Sequence, residues 1–237
     1  MTKLSVNINK IATIRNARGA NNPDLLKVAL DCEKFGAQGI TVHPRPDERH
    51  IRYEDVFVLK KNIATELNVE GYPDKKFMDL VLAIKPAQVT LVPDSPEVLT
   101  SNQGWDTIKM KSLLKTVILE LKNNGIRTSI FVDPSLAMVE NAKDCGTDRI
   151  EFYTEFYAKN YLKDAPAAIK EYAAAANLCN QIDLGINAGH DLDRNNLRYF
   201  YQHIPNLLEV SIGHALVCDA LYLGLENTVA LYLRELR

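Results

Sequence analysis

The feature that most constrains this chain is an alternation: short β-rich runs and longer runs of helical period follow one another from end to end, eight times over. β-branched and aliphatic residues place strands at Leu4–Ile8, Gly39–His43, Asn68–Glu70, Gln88–Val92, Thr128–Val132, Arg149–Tyr153, Asp183–Ile186 and Leu208–Ser211. Ile40, Val42, Val89, Leu91, Ile130 and Val132 carry no charge, as strands covered by helices require. An open doubly wound sheet alternates in the same way. Eight units in 237 residues, close to the roughly 250 of a typical closed barrel, favour closure. No glycine-rich dinucleotide motif or P-loop follows any strand, which removes the usual nucleotide-binding reading of an open sheet. The expected fold is therefore of the α/β class, a (β/α)8 TIM barrel, as one catalytic domain over residues 1–237 with extra helical and loop elements.

Helices are expected between the strands. After Asn22-Pro23, read as a cap and a first helical residue, Leu25, Ala29 and Cys32 share one face and Gly36 ends the helix. Leu114, Val117, Ile118 and Leu121 mark another before Gly125. Others are predicted over Glu54–Glu66, Asp74–Ile84, Ser135–Asp144, Ala165–Leu178, Arg194–His203 and Ala215–Leu236. The connections Asn9 to Asn22 and Pro93 to Asp106 are longer than a barrel needs, and long loops in compact domains are often lids or binding loops.

Composition excludes several classes of function. Hydrophobic residues at 46% and charged residues at 24% suit a chain that buries a sizeable core, which argues against disorder. Lys plus Arg at 28 against Asp plus Glu at 30 gives no general pull toward nucleic acid or anionic lipid, so anionic ligands need local basic sites. MTKLSVNINK has no apolar stretch fit for a signal peptide, and nowhere do about 18 apolar residues run together, so a cytoplasmic location is expected. Cys32, Cys145, Cys179 and Cys218 lie far apart with no CxxC pair and read as reduced thiols, three of them in helical patterns where a small buried apolar role suffices. No metal site and no cofactor are expected.

In a barrel, chemistry sits at the carboxyl ends of the strands. Asn7 and Asn9 end the first strand, His43 the second and Glu70 the third; Glu151 lies in the sixth, and Asn187 and His190 follow the seventh. Four of the five histidines, His43, His50, His190 and His214, map to this face, and His203 falls at a helix end. Any one of them could simply satisfy backbone groups or sit in solvent. Their convergence argues otherwise, because desolvating several unpaired ionisable groups together is costly unless a ligand or mutual pairing compensates.

Basic residues gather there too. The segment from Asn9 to Gly19 carries Lys10, Arg15 and Arg18, and the segment from His43 to His50 carries Arg45 and Arg49. The arginine fork suits phosphate oxygens, although a solvated charge run is the bland alternative. Ser211-Ile212-Gly213-His214 reads as a phosphate cradle opening the last helix, with Asn187-Ala188-Gly189-His190 assisting from the neighbouring strand. The basic segments and the Gly213 cradle are expected on opposite sides of the mouth, a layout that fits two phosphates.

Several blocks, in order and attached to strand ends, resemble the pyridoxine 5'-phosphate synthase family. They are Val6-Asn7-Ile8 with Ile11-Ala12-Thr13-Ile14-Arg15-Asn16-Ala17-Arg18-Gly19; Gly39-Ile40-Thr41-Val42-His43 with Arg45 and Arg49-His50; Leu91-Val92-Pro93; Asn187-Ala188-Gly189-His190; and Ile212-Gly213-His214-Ala215. The resemblance spans nearly the whole chain. It implies a ring-closing transferase that joins 3-amino-2-oxopropyl phosphate to 1-deoxy-D-xylulose 5-phosphate, releasing phosphate and water. By position it implies His43 as proton acceptor, Glu70 as a second acid/base group, His190 as proton donor and Glu151 as a group that guides the reaction or closes the site. Asn7, Arg18 and Gly213-His214 would hold the aminoketone phosphate, and Arg45, His50 and Thr100 the sugar phosphate. It also implies a homo-octamer built from dimers.

The chain departs from the family pattern at two places. Asn9-Lys10 stands where the family has an Asp-His pair contacting the sugar phosphate, so Asn9 and Lys10 must bind differently; Asp191 stands where the family has a glycine, and its backbone amide is the group expected to reach substrate. The substrate's own amine makes the imine, which removes the need for a lysine Schiff base, although Lys10 near the site keeps that route open. Two other readings stay open at this point: an isomerase or aldolase acting on a single sugar phosphate, and a barrel that binds phosphorylated metabolites without turnover.

Overall fold

Each strand pairs in parallel with the next, and the eighth pairs back to the first, closing the sheet in the order β1 to β8. The computed structural model describes residues 1–93 and 103–237. The strands are β1 (Lys3–Asn7), β2 (Gly39–Val42), β3 (Glu66–Gly71), β4 (Gln88–Leu91), β5 (Arg127–Val132), β6 (Arg149–Tyr153), β7 (Gly185–Gly189) and β8 (Leu207–Ile212). Helices follow them as α1 (Asn9–Asn16), α2 (Leu25–Lys34), α3 (Tyr53–Asn62), α4 (Lys75–Ile84), α5 (Lys111–Asn123), α6 (Leu136–Asp144), α7 (Glu155–Tyr161), α8 (Ala165–Gln181), α9 (Leu197–His203), α10 (His214–Leu223) and α11 (Leu225–Glu235). The (β/α)8 barrel expected from the alternation is the fold.

Several boundaries differ from the sequence expectation. The stretch after Asn9 is the helix α1 and not a long loop; it buries Ala12 and the charged Arg15, so its inward face does not read as apolar. Asn22-Pro23 is a cis peptide outside the next helix, and the Asp24 side chain accepts from the Lys27 amide as its cap. The helix expected over Glu54–Glu66 stops at Asn62, because Glu66 is already the first residue of β3. Strand seven begins at Gly185 and runs to Gly189, since Asp183 turns the chain with φ 52°. Arg194–His203 is helical only from Leu197, the last helix breaks at Gly224 into α10 and α11, and α7 is an additional short helix. Thr100 and most of the Pro93 to Asp106 connection lie outside the described residues.

Two different cores result from the period of two along each strand. One set of side chains, including Leu4, Val6, Ile40, Val42, Val69, Val89, Ile130, Ile150, Phe152 and Val210, packs outward with helix residues such as Val56, Val81, Leu114, Val139, Tyr172 and Val229 in one apolar cluster. Burying an aliphatic or aromatic side chain of this kind contributes about 1.5–3 kcal/mol, so this shell between sheet and helices is the main stabilising layer.

The alternate set points into the barrel and is polar. Ser5 Oγ and Thr41 Oγ1 lie 2.6 Å apart, Asn68 bonds to Thr41 at 3.4 Å, and Thr90 donates to Asn68 Oδ1 at 3.1 Å. Contacts cross the lumen between strands that are not neighbours: Thr90 Oγ1 of β4 to Glu151 Oε2 of β6 at 3.4 Å, and Asn187 Nδ2 of β7 to Gln88 Oε1 of β4 at 3.5 Å. At the amino-terminal end, Glu66 pairs with Lys3 and Arg127, while Arg149 lies 3.9 Å from Glu209. Barrels of this class more often fill the lumen with Val, Ile and Leu. At the carboxyl end, beside these polar groups, Val92, Phe131 and Tyr153 form a separate apolar cluster.

Candidate active site

His43 follows β2 directly and is 7% exposed. Its backbone amide donates to Asn9 Oδ1 at 2.9 Å, and the Asn9 amide donates in turn to Asn7 Oδ1 at 3.1 Å, so the start of α1 fixes the end of β2. Its ring Nδ1 lies 4.0 Å from Glu70 Oε2, and Asn7 Nδ2 reaches the same oxygen at 3.5 Å. Asn7, Asn9, His43 and Glu70 thus form one connected group at the carboxyl ends of β1 to β3 and the start of α1. Burial, then the cations Arg45 and Arg49 with His50, hold the His43 pKa well below the usual histidine range. His43 is a neutral imidazole near pH 7, able to take up a proton.

Across the mouth, His190 follows β7 directly with φ 93°, a backbone conformation uncommon for a residue with a side chain. Its ring stands edge-on to Tyr153 with centroids 5.1 Å apart, and Phe131 lies 6.5 Å away. Burial acts to lower its pKa, but the hydrogen bond and charge of Asp191, with Glu70 and Glu155 behind them, outweigh burial and raise it. The two histidines therefore face one mouth with opposite proton preferences.

Glu151 lies in the lumen beneath them and is 3% exposed. Burial first, then the carboxylates of Glu70 and Glu209, push its pKa well up against the opposing pull of the Thr90 hydroxyl. A side chain on Gly189 would meet Glu151 Oε1 at 2.3 Å. The missing side chain at Gly189 thus leaves the space that Glu151 occupies. Asn187 does not follow β7 but lies within it, accepting from Arg149 Nη1 at 3.3 Å inside the barrel.

The cations gather on one side. Arg45 is 4% exposed behind β2, and Arg45, Lys10 and Arg49, after burial itself, lower the His50 pKa to about 4. His50 Nδ1 accepts from the Ile51 amide at 2.9 Å, which needs the neutral ring. Arg15, missed as anything but a cation, organises this segment: it grips Asp55 at 2.6 and 2.9 Å and donates to the His50 carbonyl at 3.1 Å. Asn16 donates to the same carbonyl at 2.7 Å. Arg18 is exposed beyond the end of α1.

Gly213 precedes α10, and a Cβ there would sit 3.1 Å from the Asn7 carbonyl oxygen, so this helix start abuts Asn7 closely. His214 is exposed, with Nε2 3.6 Å from Cys218 Sγ. Because β8, β1 and β2 are consecutive, the Gly213 turn and the basic segments flank β1 and do not lie on opposite sides of the mouth as expected. Cys32, Cys145 and Cys179 are buried and Cys218 is exposed. Asp191 is half-buried beside His190, and its amide donates to Thr154 Oγ1 at 3.4 Å.

Fold and site define a (β/α)8 barrel whose mouth sets proton-carrying side chains beside clustered cations and a glycine-opened helix start. The chain belongs to the pyridoxal phosphate biosynthesis protein PdxJ family, whose model matches residues 4–237. It is 65% identical over 237 residues to a pyridoxine 5'-phosphate synthase of Cytophaga hutchinsonii and 62% identical over 237 residues to one of Flavobacterium johnsoniae, covering 100% of both chains in each case. Among solved structures it resembles phosphoribosyl anthranilate isomerase from Thermotoga maritima, with a TM-score of 0.64 at 12% identity over 100% of this chain and 98% of that one. At that identity the likeness is one of fold.

Proposed function

We propose that this chain closes the pyridine ring of pyridoxine 5'-phosphate by condensing 3-amino-2-oxopropyl phosphate with 1-deoxy-D-xylulose 5-phosphate, releasing phosphate and water, as a ring-closing transferase. The observation that carries the reading is the pair of histidines at one mouth, His43 held neutral and His190 held toward its protonated form. Condensation of an amine with a ketone, loss of water and aromatisation all require a proton acceptor and a proton donor at once, and environments that push two titratable groups apart supply them. Relatives at 65% and 62% identity bearing the synthase name support the same substrates.

In this reading the amine attacks the ketone while His43 takes up the proton released, with Glu70 beside it to pass protons on. His190 delivers a proton to the departing oxygen, and the Glu151 carboxyl guides later transfers from below. Asn7, Arg18 and the Gly213-His214 turn hold the aminoketone phosphate. Arg45 and His50 hold the sugar phosphate, with Thr100 assigned to it by resemblance alone and Asn9 and Lys10 replacing the family's Asp-His contact. Anchoring both phosphates turns a bimolecular encounter into an intramolecular one. A homo-octamer in the cytoplasm belongs to the same reading; among the described residues, no helix is long and apolar enough to cross a membrane.

The test is incubation of the purified protein with both substrates, followed by detection of pyridoxine 5'-phosphate and free phosphate. Product from the pair and none from either alone is expected. Conversion of the sugar phosphate without the amine would instead identify an isomerase or aldolase, and binding of both without turnover a metabolite-binding barrel.

A further inference from the structure

The Asp191 carboxylate is hydrogen-bonded to a histidine that the proposed chemistry uses. Asp191 Oδ2 lies 2.5 Å from His190 Nδ1. The backbone around the pair is pinned from two sides: Thr154 Oγ1 donates to the Gly189 carbonyl at 2.6 Å, and Asn196 Nδ2 donates to the Asp191 carbonyl at 3.4 Å. The φ of 93° at His190 is therefore held by neighbouring elements, and the imidazole edge is set against Tyr153. A ring bound at Nδ1 has only Nε2 left to face a ligand.

We propose that Asp191 is a positioning residue for His190: its carboxylate accepts the Nδ1 proton, orients the ring, and leaves Nε2–H as the group presented to substrate. A carboxylate bound to one imidazole nitrogen fixes the tautomer and stabilises the imidazolium, so the opposite nitrogen carries the transferable proton. The charged and titratable groups facing His190 are Asp191, Glu70 from β3, Glu155 at the start of α7 and Tyr153 at the end of β6. Asp191 makes the hydrogen bond among them, so its charge is the one whose removal is felt most. This chain thus sets the proton affinity of its donor locally. The proposal rests on the proton-donor reading of His190.

The experiment follows the His190 ring by NMR across pH in the intact protein and in Asp191→Asn, with kcat and both KM values measured over the same range. Asp191→Asn is expected to lower the His190 midpoint by about one pH unit or more. The basic limb of the kcat profile should move down with it, while both KM values stay within about twofold. Asp191→Glu, which keeps the charge, should restore most of the midpoint. An unmoved midpoint, or a KM that falls severalfold with the profile fixed, overturns the proposal; the latter would mean the carboxylate acts on a substrate phosphate. His190→Gln separates the two levels. Wild-type turnover in that variant removes the proton-donor reading and the proposal with it, whereas an inactive His190→Gln beside an unmoved Asp191→Asn midpoint removes only the role of Asp191.

Discussion

Gly189 and Glu151 share one space: a Cβ on Gly189 would lie 2.3 Å from Glu151 Oε1 and 3.1 Å from the Ser211 carbonyl oxygen. Gly189→Ala must therefore push the carboxyl out of its seat. Displacement of about an ångström at a reacting group lowers kcat on the order of 10²-fold, and overpacking costs about 1–3 kcal/mol. Turnover and urea unfolding of the same preparation check both; an alanine variant with full kcat would show that the seat of Glu151 does not matter.

Glu151→Gln separates shape from protons. Burial and the nearby Glu70 and Glu209 disfavour the charged carboxylate, so an uncharged amide of the same size should keep stability within about 1 kcal/mol. A group that moves protons is lost all the same, and kcat should fall by roughly 10²–10⁴. Retained turnover in Glu151→Gln would reduce Glu151 to a hydrogen-bonding wall.

Acid should weaken the fold through His43 and His50. Both have folded pKa values below 6.5, His50 at about 4, so between those values the unfolded chain binds more protons and stability falls as pH drops. His190 has the opposite sign, its raised pKa adding stability that is lost as pH rises through the folded value. Thermal unfolding from pH 7 to 4 should show a declining Tm, and His50→Gln should flatten part of that slope while lowering the baseline, since the Ile51 amide loses its imidazole acceptor. An unchanged slope would place the acid sensitivity elsewhere.

Arg15 is 2% exposed and holds both Asp55 and the His50 carbonyl. Arg15→Ala strands a partly buried carboxylate and should cost about 3–5 kcal/mol. Arg15→Lys keeps the charge without the planar fork, so it should remain folded yet raise the KM for the sugar phosphate severalfold with a smaller change in kcat. A lysine variant with wild-type KM would mean the Arg45 to His50 segment keeps its shape unaided.

The barrel and its rim were legible because they rest on short-range pattern. Aliphatic runs such as Gly39–Val42 announce strands, and a histidine immediately after one, like His43, must sit at the mouth once the sheet closes. Element ends resting on tertiary contacts were not legible. Glu66 continues a helix-like pattern, yet it belongs to β3 because Lys3 and Arg127, far away in sequence, pair with it in the lumen. Likewise α1 hides its inward face by burying Arg15.

Within the strands a further signal was available. Leu4-Ser5-Val6-Asn7, Ile40-Thr41-Val42-His43 and Leu67-Asn68-Val69-Glu70 alternate apolar and polar residues in the same phase. Such alternation marks a strand with one apolar and one polar face. Where helices wrap a closed barrel, the face toward them must be apolar, so an alternating strand turns its polar face inward, and from it Asn68, Gln88, Thr90 and Asn187 could have been assigned to the lumen. Which of them touch across it depends on register, which no single strand specifies.

Since the packing that stabilises the fold lies between sheet and helices, the inward residues of the strands are released from hydrophobic duty. Asn68, Thr90, Glu151 and Asn187 bond among the polar groups of the lumen and stand apart from the apolar shell. The proton affinities of groups inside the barrel are thus set by a layer separate from the one that stabilises the scaffold, a separation that a lumen filled with valine and leucine would not give.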